Sequence, residues 1–124
     1  MTDRTLGIPR NVWSPIAAIF ALIILGVSLL PPRGTPGVEI ADLGETWALA
    51  LHGLGYALLT MSALFAQRVP RVVVTAILVI GYGILLEFVQ GMLGLRSAQI
   101  SDVLANTGGV LLGVAISFMV PRRS

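Results

Sequence analysis

The sequence predicts an all-α fold, a four-helix transmembrane bundle, and three observations carry that prediction. First, 56% of the 124 residues are hydrophobic and only 11% are charged. Soluble domains carry roughly 25% charged residues, so this chain cannot cover itself with a water-facing surface. Second, the apolar residues gather into segments close to the ~20 residues a helix needs to cross a ~30 Å hydrocarbon core. Third, clusters of Pro, Gly and Arg separate the segments. Hydrocarbon tolerates only backbones whose hydrogen bonds are closed within the segment, so the segments read as helices.

The first helix is expected over about 12–30. Its apolar run exceeds the ~7–15 residues of a signal-peptide core and no small-x-small motif closes it, so it reads as a retained helix. Pro15 is expected in its first turn, where a missing N–H costs little. Pro31-Pro32-Arg33-Gly34 and Pro36-Gly37 end it. The second helix is expected over 47–66, closed by Arg68-Val69-Pro70-Arg71. The third spans 72–92, and a turn region from Gly91 to Ser101 leads into the fourth at 103–120. No length remains for a second folded unit, so residues 1–124 form a single domain.

Arginine placement orients the bundle. Arg4, Arg10, Arg68, Arg71, Arg122 and Arg123 flank one set of helix ends, while Arg33 and Arg96 fall on the other. The positive-inside rule then puts both termini in the cytoplasm. Trp13 and Trp47 sit where interfacial anchors belong, on opposite faces of the membrane. These arginines account for the basic balance without nucleic acid as a partner. Cysteine is absent and there is one His, which excludes thiolate and multi-histidine metal sites. Neither a metal nor a cofactor is expected.

Against this apolar background the polar residues stand out. Glu87 lies within the third span, and an ionisable group there marks a functional site by default. Counting ~1.5 Å per residue, His52 lies roughly 7 Å past Trp47, Glu87 roughly 7 Å before Met92, and Asn106 about 6 Å past Asp102. Three helices therefore bring polar groups to one depth in the outer leaflet. Helical spacing supports this. Glu45, His52 and Tyr56 share one face of helix two, Glu87 and Gln90 one face of helix three. Asp102, Asn106, Gly109 and Gly113 form a small-and-polar stripe on helix four, where Gly109-x-x-x-Gly113 admits a close neighbouring backbone.

These residues carry a family resemblance. His52-x-x-x-Tyr56, Leu86-Glu87-Phe88-Val89-Gln90, Arg96, and Ser101-Asp102-Val103-Leu104-Ala105-Asn106-Thr107-Gly108-Gly109 closely resemble the VanZ-like family. These are small bacterial membrane proteins named for a member linked to teicoplanin resistance. The resemblance covers about 47–113. Where the family often has an Asp-Lys pair ahead of the His, this chain reads Glu45-Thr46-Trp47-Ala48. The resemblance implies a multi-pass protein of the bacterial cytoplasmic membrane with an envelope function such as glycopeptide tolerance.

Each candidate has a structural reading beside its functional one. His52 is either a packing residue or a proton acceptor near neutral pH. Glu87 is either paired with Arg96 or Gln90, or part of a binding or catalytic site. Arg96 lies on the wrong side to orient the chain and suits a phosphate or carboxylate, or a bridge to Asp102 or Glu87. Asp102 reads as a helix cap, with Ser101 as the other candidate cap. Asn106 reads as an interhelical hydrogen-bonding residue, and Tyr56 and Gln90 as supporting groups.

Three functions follow. In the first, His52, Tyr56, Glu87, Gln90, Arg96, Asp102 and Asn106 line an outer-leaflet site for an amphiphile. That ligand would be a lipid-linked envelope intermediate or the acyl tail of a glycopeptide. In the second, the chain is an intramembrane enzyme with His52 as general base and Glu87 or Asp102 orienting it. The third is a proton-coupled transporter subunit, for which Thr60, Gln67 and Thr75 would have to form the cytoplasmic half of a path. Membrane lipids are partners in every case, and an oligomer is compatible with each.

Overall fold

In the computed structural model, residues 4–29, 41–94 and 100–123 are described. The chain folds as four helices: α1 (Arg10–Ser28), α2 (Ala41–Phe65), α3 (Val72–Met92) and α4 (Ile100–Met119). Three of them, α1, α3 and α4, are long and apolar enough to cross a membrane, and α2 carries a shorter apolar run over Leu49–Phe65. At ~1.5 Å per residue the three longer spans reach ~30 Å.

The helices form where hydropathy predicts them, but they extend further into polar sequence. The second begins at Ala41, not near Trp47. The added turns carry Asp42 and Glu45 in the sequence. Helix four likewise opens at Ile100 with Asp102 in its first turn. Helix one begins at Arg10, so Pro15 lies inside it and not in its first turn. The Pro15 ring leaves the Asn11 carbonyl without its helical donor. The third helix closes with Gly94 at φ +67°, its N–H donating to the Gly91 carbonyl at 3.2 Å. Glycine adopts that left-handed position without steric cost.

One feature has no counterpart in the hydropathy pattern. Strand β1 (Arg4–Thr5) pairs antiparallel with β2 (Ile8–Pro9) and with β3 (Arg122–Arg123), in the order β2-β1-β3. Leu6 and Gly7, at φ +55° and +76°, make the two-residue turn between β1 and β2. Positive φ at both central residues is the signature of the tight hairpin turn that matches strand twist. The sheet brings the two ends of the chain together at one end of the bundle.

Inside the bundle the closest pair is not consecutive in sequence. Helices α2 and α4 run parallel and meet backbone to backbone. A methyl on Gly109 would fall onto the Gly53 carbonyl, and one on Gly113 would stand 2.6 Å from the Ala57 carbonyl oxygen. Gly53-x-x-x-Ala57 thus faces Gly109-x-x-x-Gly113. Small residues four apart on both partners are the arrangement that lets membrane helices associate through van der Waals contact. The predicted glycine stripe on α4 is a packing surface.

Helix α1 is held differently. Trp13, buried near its start, packs edge-on against Phe65 at the end of α2, with ring centroids 4.9 Å apart. Two side chains of α3 also reach its backbone. The Tyr82 hydroxyl donates to the Ala21 carbonyl at 2.6 Å, and the Gln90 amide donates to the Ser28 carbonyl. The second of these satisfies one of the last four carbonyls of α1, which have no donor within the helix.

Candidate functional site

The polar residues that the sequence singles out gather at the end of the bundle opposite the sheet. Tyr56, Glu87, Gln90, Asp102 and Asn106 are all buried, each at least nine-tenths covered. They come from α2, α3 and α4. His52, one turn before Tyr56, is half-buried. Arg96 lies outside the described residues, as do the side chains of Asp42 and Glu45.

The convergence is clearest around Gly83. A methyl there would lie 3.0 Å from the Asn106 amide nitrogen and 3.2 Å from two ring carbons of Tyr56. Gly83 is therefore the spot on α3 against which the Asn106 and Tyr56 side chains both close. Glu87 follows one turn later on the same face, within electrostatic reach of the Tyr56 phenol. The Asn106 side chain thus packs beside Gly83, one turn before Glu87. The side-chain oxygen of Asn106 is buried and accepts no hydrogen bond among the described residues.

Asp102 lies in the first turn of α4, 2% exposed, with both carboxyl oxygens buried. A carboxyl in that turn faces the positive end of the helix. Gln90 has a defined structural task in its bond to Ser28. The sequence could not have named that partner, because a backbone carbonyl has no residue identity. Among the described residues, no three His, Cys, Asp or Glu side chains come together as a metal-ligand set.

Polar residues in the other half of the bundle spend their hydrogen bonds locally. The Thr60 hydroxyl donates to the Tyr56 carbonyl at 2.8 Å and the Ser62 hydroxyl to Leu58 at 2.7 Å, each one turn back in its own helix. Gln67 donates to Thr75 at 2.7 Å and accepts from the Arg71 N–H at 2.8 Å, which ties together the turn between α2 and α3.

A groove of about 260 Å³ lies between the last turns of α1 and the middle of α2. His52 and Tyr56 are on its wall, and the rest of the lining is mainly aliphatic. It brings the polar end of the bundle to the outer surface of the helices.

Three helices long and apolar enough to cross a membrane, with buried polar residues toward one end, are the pattern of a multi-pass membrane protein. Residues 17–121 match the family described as VanZ/LLP1, and the chain belongs to this VanZ-like family. The match reaches back into α1, beyond the 47–113 over which the motifs are legible. No curated protein matches the chain, and no solved structure does.

Proposed function

We propose that this VanZ-like protein sits in the bacterial cytoplasmic membrane with both termini inside, and that its outer-leaflet polar cluster binds an acylated envelope amphiphile. The ligand is a lipid-linked intermediate or the acyl tail of a glycopeptide, and the outcome is teicoplanin tolerance. The observation that carries the reading is the burial of Tyr56, Glu87, Gln90, Asp102 and Asn106 on three helices toward one end of the bundle, beside a groove that opens on the bundle surface. Polar and ionisable groups in a membrane interior are expensive, and sequences keep them where they act on something. Arg96, in the connection between α3 and α4, meets the charged head of the ligand through its planar fork.

The orientation rests on Arg4, Arg10, Arg68, Arg71, Arg122 and Arg123, which belong to the termini and to the α2–α3 turn. Pairing of Arg4 with Arg123 in the sheet supports a common side for the two termini. Transport is the weaker reading, because Thr60, Gln67 and Thr75 are engaged in local bonds.

The test is teicoplanin susceptibility in a Gram-positive host carrying empty vector, wild type, His52→Ala or Glu87→Gln, with membrane levels measured for each. Wild type should shift susceptibility, and both variants should lose the shift at normal levels. Retention of the shift by both variants would reduce the cluster to a structural role.

A further inference from the structure

The three-stranded sheet borders a cavity of about 470 Å³ lined by Arg4, Leu6, Gly7 and Pro121. Its walls are β1, the turn that follows β1, and the residue that leads from α4 into β3. Arg4 is exposed, and the strand register sets it opposite Arg123, with Arg122 opposite Thr5. Like charges directly opposite one another weaken a sheet. The other strand residues, Thr5, Ile8 and Pro9, carry no charge to answer them.

The surroundings are of the same sign. The Trp13–Phe65 contact sets the close of α2 beside the start of α1, so Arg10, Arg68 and Arg71 belong to this end as well. Asp42, Glu45, Glu87 and Asp102 lie toward the opposite ends of α2, α3 and α4. In the sequence, Asp3 alone adds an acid next to β1. The cavity also has an apolar side. Leu6 on its wall is exposed, as are Phe118 and Met119 in the last turn of α4. Because α1 opens at Arg10 and α4 closes at Met119, the sheet stands at the ends of two membrane-length helices. Headgroups occupy that level of a bilayer. A free anion would meet the arginine and leave Leu6 unused, whereas a phospholipid meets both.

We infer that this cavity is a binding site for an anionic phospholipid, with Arg4 on the phosphodiester and Leu6 beside the glycerol and the first methylenes. The planar fork of an arginine matches phosphate oxygens in pairs. A net negative headgroup is preferred, because a choline would bring a fixed cation into a field of arginines, and basic segments at a membrane surface attract anionic lipids. The bound charge offsets the repulsion between Arg4 and the arginine opposite it, so the lipid holds β1 and β3 together. The site lies at the other end of the bundle from the polar cluster and does not depend on it.

The test is native mass spectrometry of the full chain in detergent, with equal amounts of phosphatidylglycerol and phosphatidylcholine of identical acyl chains. Phosphatidylglycerol should be retained severalfold over phosphatidylcholine. Arg4→Gln should bring the two lipids close to equal. Arg71→Gln should keep the preference, because Arg71 is an exposed arginine of the same end that does not line the cavity. Pro121→Glu, at an exposed position on the cavity wall, should abolish the preference by charge and serves as the block should Arg4→Gln fail to fold. Thermal unfolding gives a second readout. Phosphatidylglycerol should raise the melting temperature of the wild type and Arg71→Gln but not of Arg4→Gln.

Equal retention of both lipids by the wild type overturns the site. So does a preference that survives both Arg4→Gln and Pro121→Glu. Equal loss in Arg4→Gln and Arg71→Gln also overturns it, since a diffuse field of arginines would then suffice. Displacement of phosphatidylglycerol by inorganic phosphate would make this a free-anion site and overturn the lipid assignment. None of these outcomes bears on the susceptibility shift expected of the polar cluster.

Discussion

The seam between α2 and α4 and the seam between α1 and α2 solve one problem in opposite ways. At the first, glycines on both helices bring backbones into direct contact and leave nothing to rearrange. At the second, contact is made at one end by Trp13 on Phe65 and at the other gives way to a groove. The parallel α2–α4 pair fixes where Tyr56 and Asn106 stand. The α1–α2 pair leaves the side of that arrangement open. A small membrane protein with a rigid seam and an open one can hold a site in register and still admit a ligand to it.

The contrast can be broken most severely at the rigid seam. Gly109→Leu should prevent the folded bundle from accumulating, because the side chain lands on the Gly53 carbonyl. Gly113→Ala, with its methyl 2.6 Å from the Ala57 oxygen, should cost about 1–3 kcal/mol, the usual range for overpacking. Thermal unfolding in detergent measures both. A Gly113→Ala protein that melts with the wild type would show that this seam yields as the other does. Gly83→Ala should fall within the same ~1–3 kcal/mol range while displacing Asn106 and Tyr56 together, so it should lower both melting temperature and the susceptibility shift.

Smaller effects are expected at the α1 side. Gln90→Ala removes the bond to the Ser28 carbonyl and should cost about 0.5–1.5 kcal/mol by the same melting assay. Gly55→Ala should be near neutral or stabilising by about 0.4–1 kcal/mol, since its methyl meets Ile24 at an ordinary contact distance. A loss of more than that at Gly55, equal to the loss at Gly113, would erase the distinction between the seams.

Much of this architecture is legible in the sequence, and the parts that are not have physical reasons. Hydropathy reports where a helix meets lipid, so it finds four segments but misses the turns that α2 adds outside the apolar run. The glycine stripe on α4 is legible because spacing alone puts Gly109 and Gly113 on one face. Its partner, Gly53-x-x-x-Ala57, requires knowing that α2 and α4 are parallel neighbours. Counting residues leads to an expected shared depth for Glu87 and Asn106, but it does not reveal that Asn106 and Tyr56 meet at Gly83, one turn before Glu87. The bond from Gln90 ends on a backbone carbonyl, which leaves no trace in residue type. The two-residue strands are too short to show alternation.

Those strands have a consequence of their own. Arg122 and Arg123, after α4, pair with Thr5 and Arg4, ahead of α1. The sheet can therefore close only once all four helices between its strands are in place. It is a clasp on the assembled bundle. Because it holds the two ends side by side, a short peptide joining them should preserve the bundle while new ends are opened elsewhere, such as in the exposed turn at Arg68–Pro70.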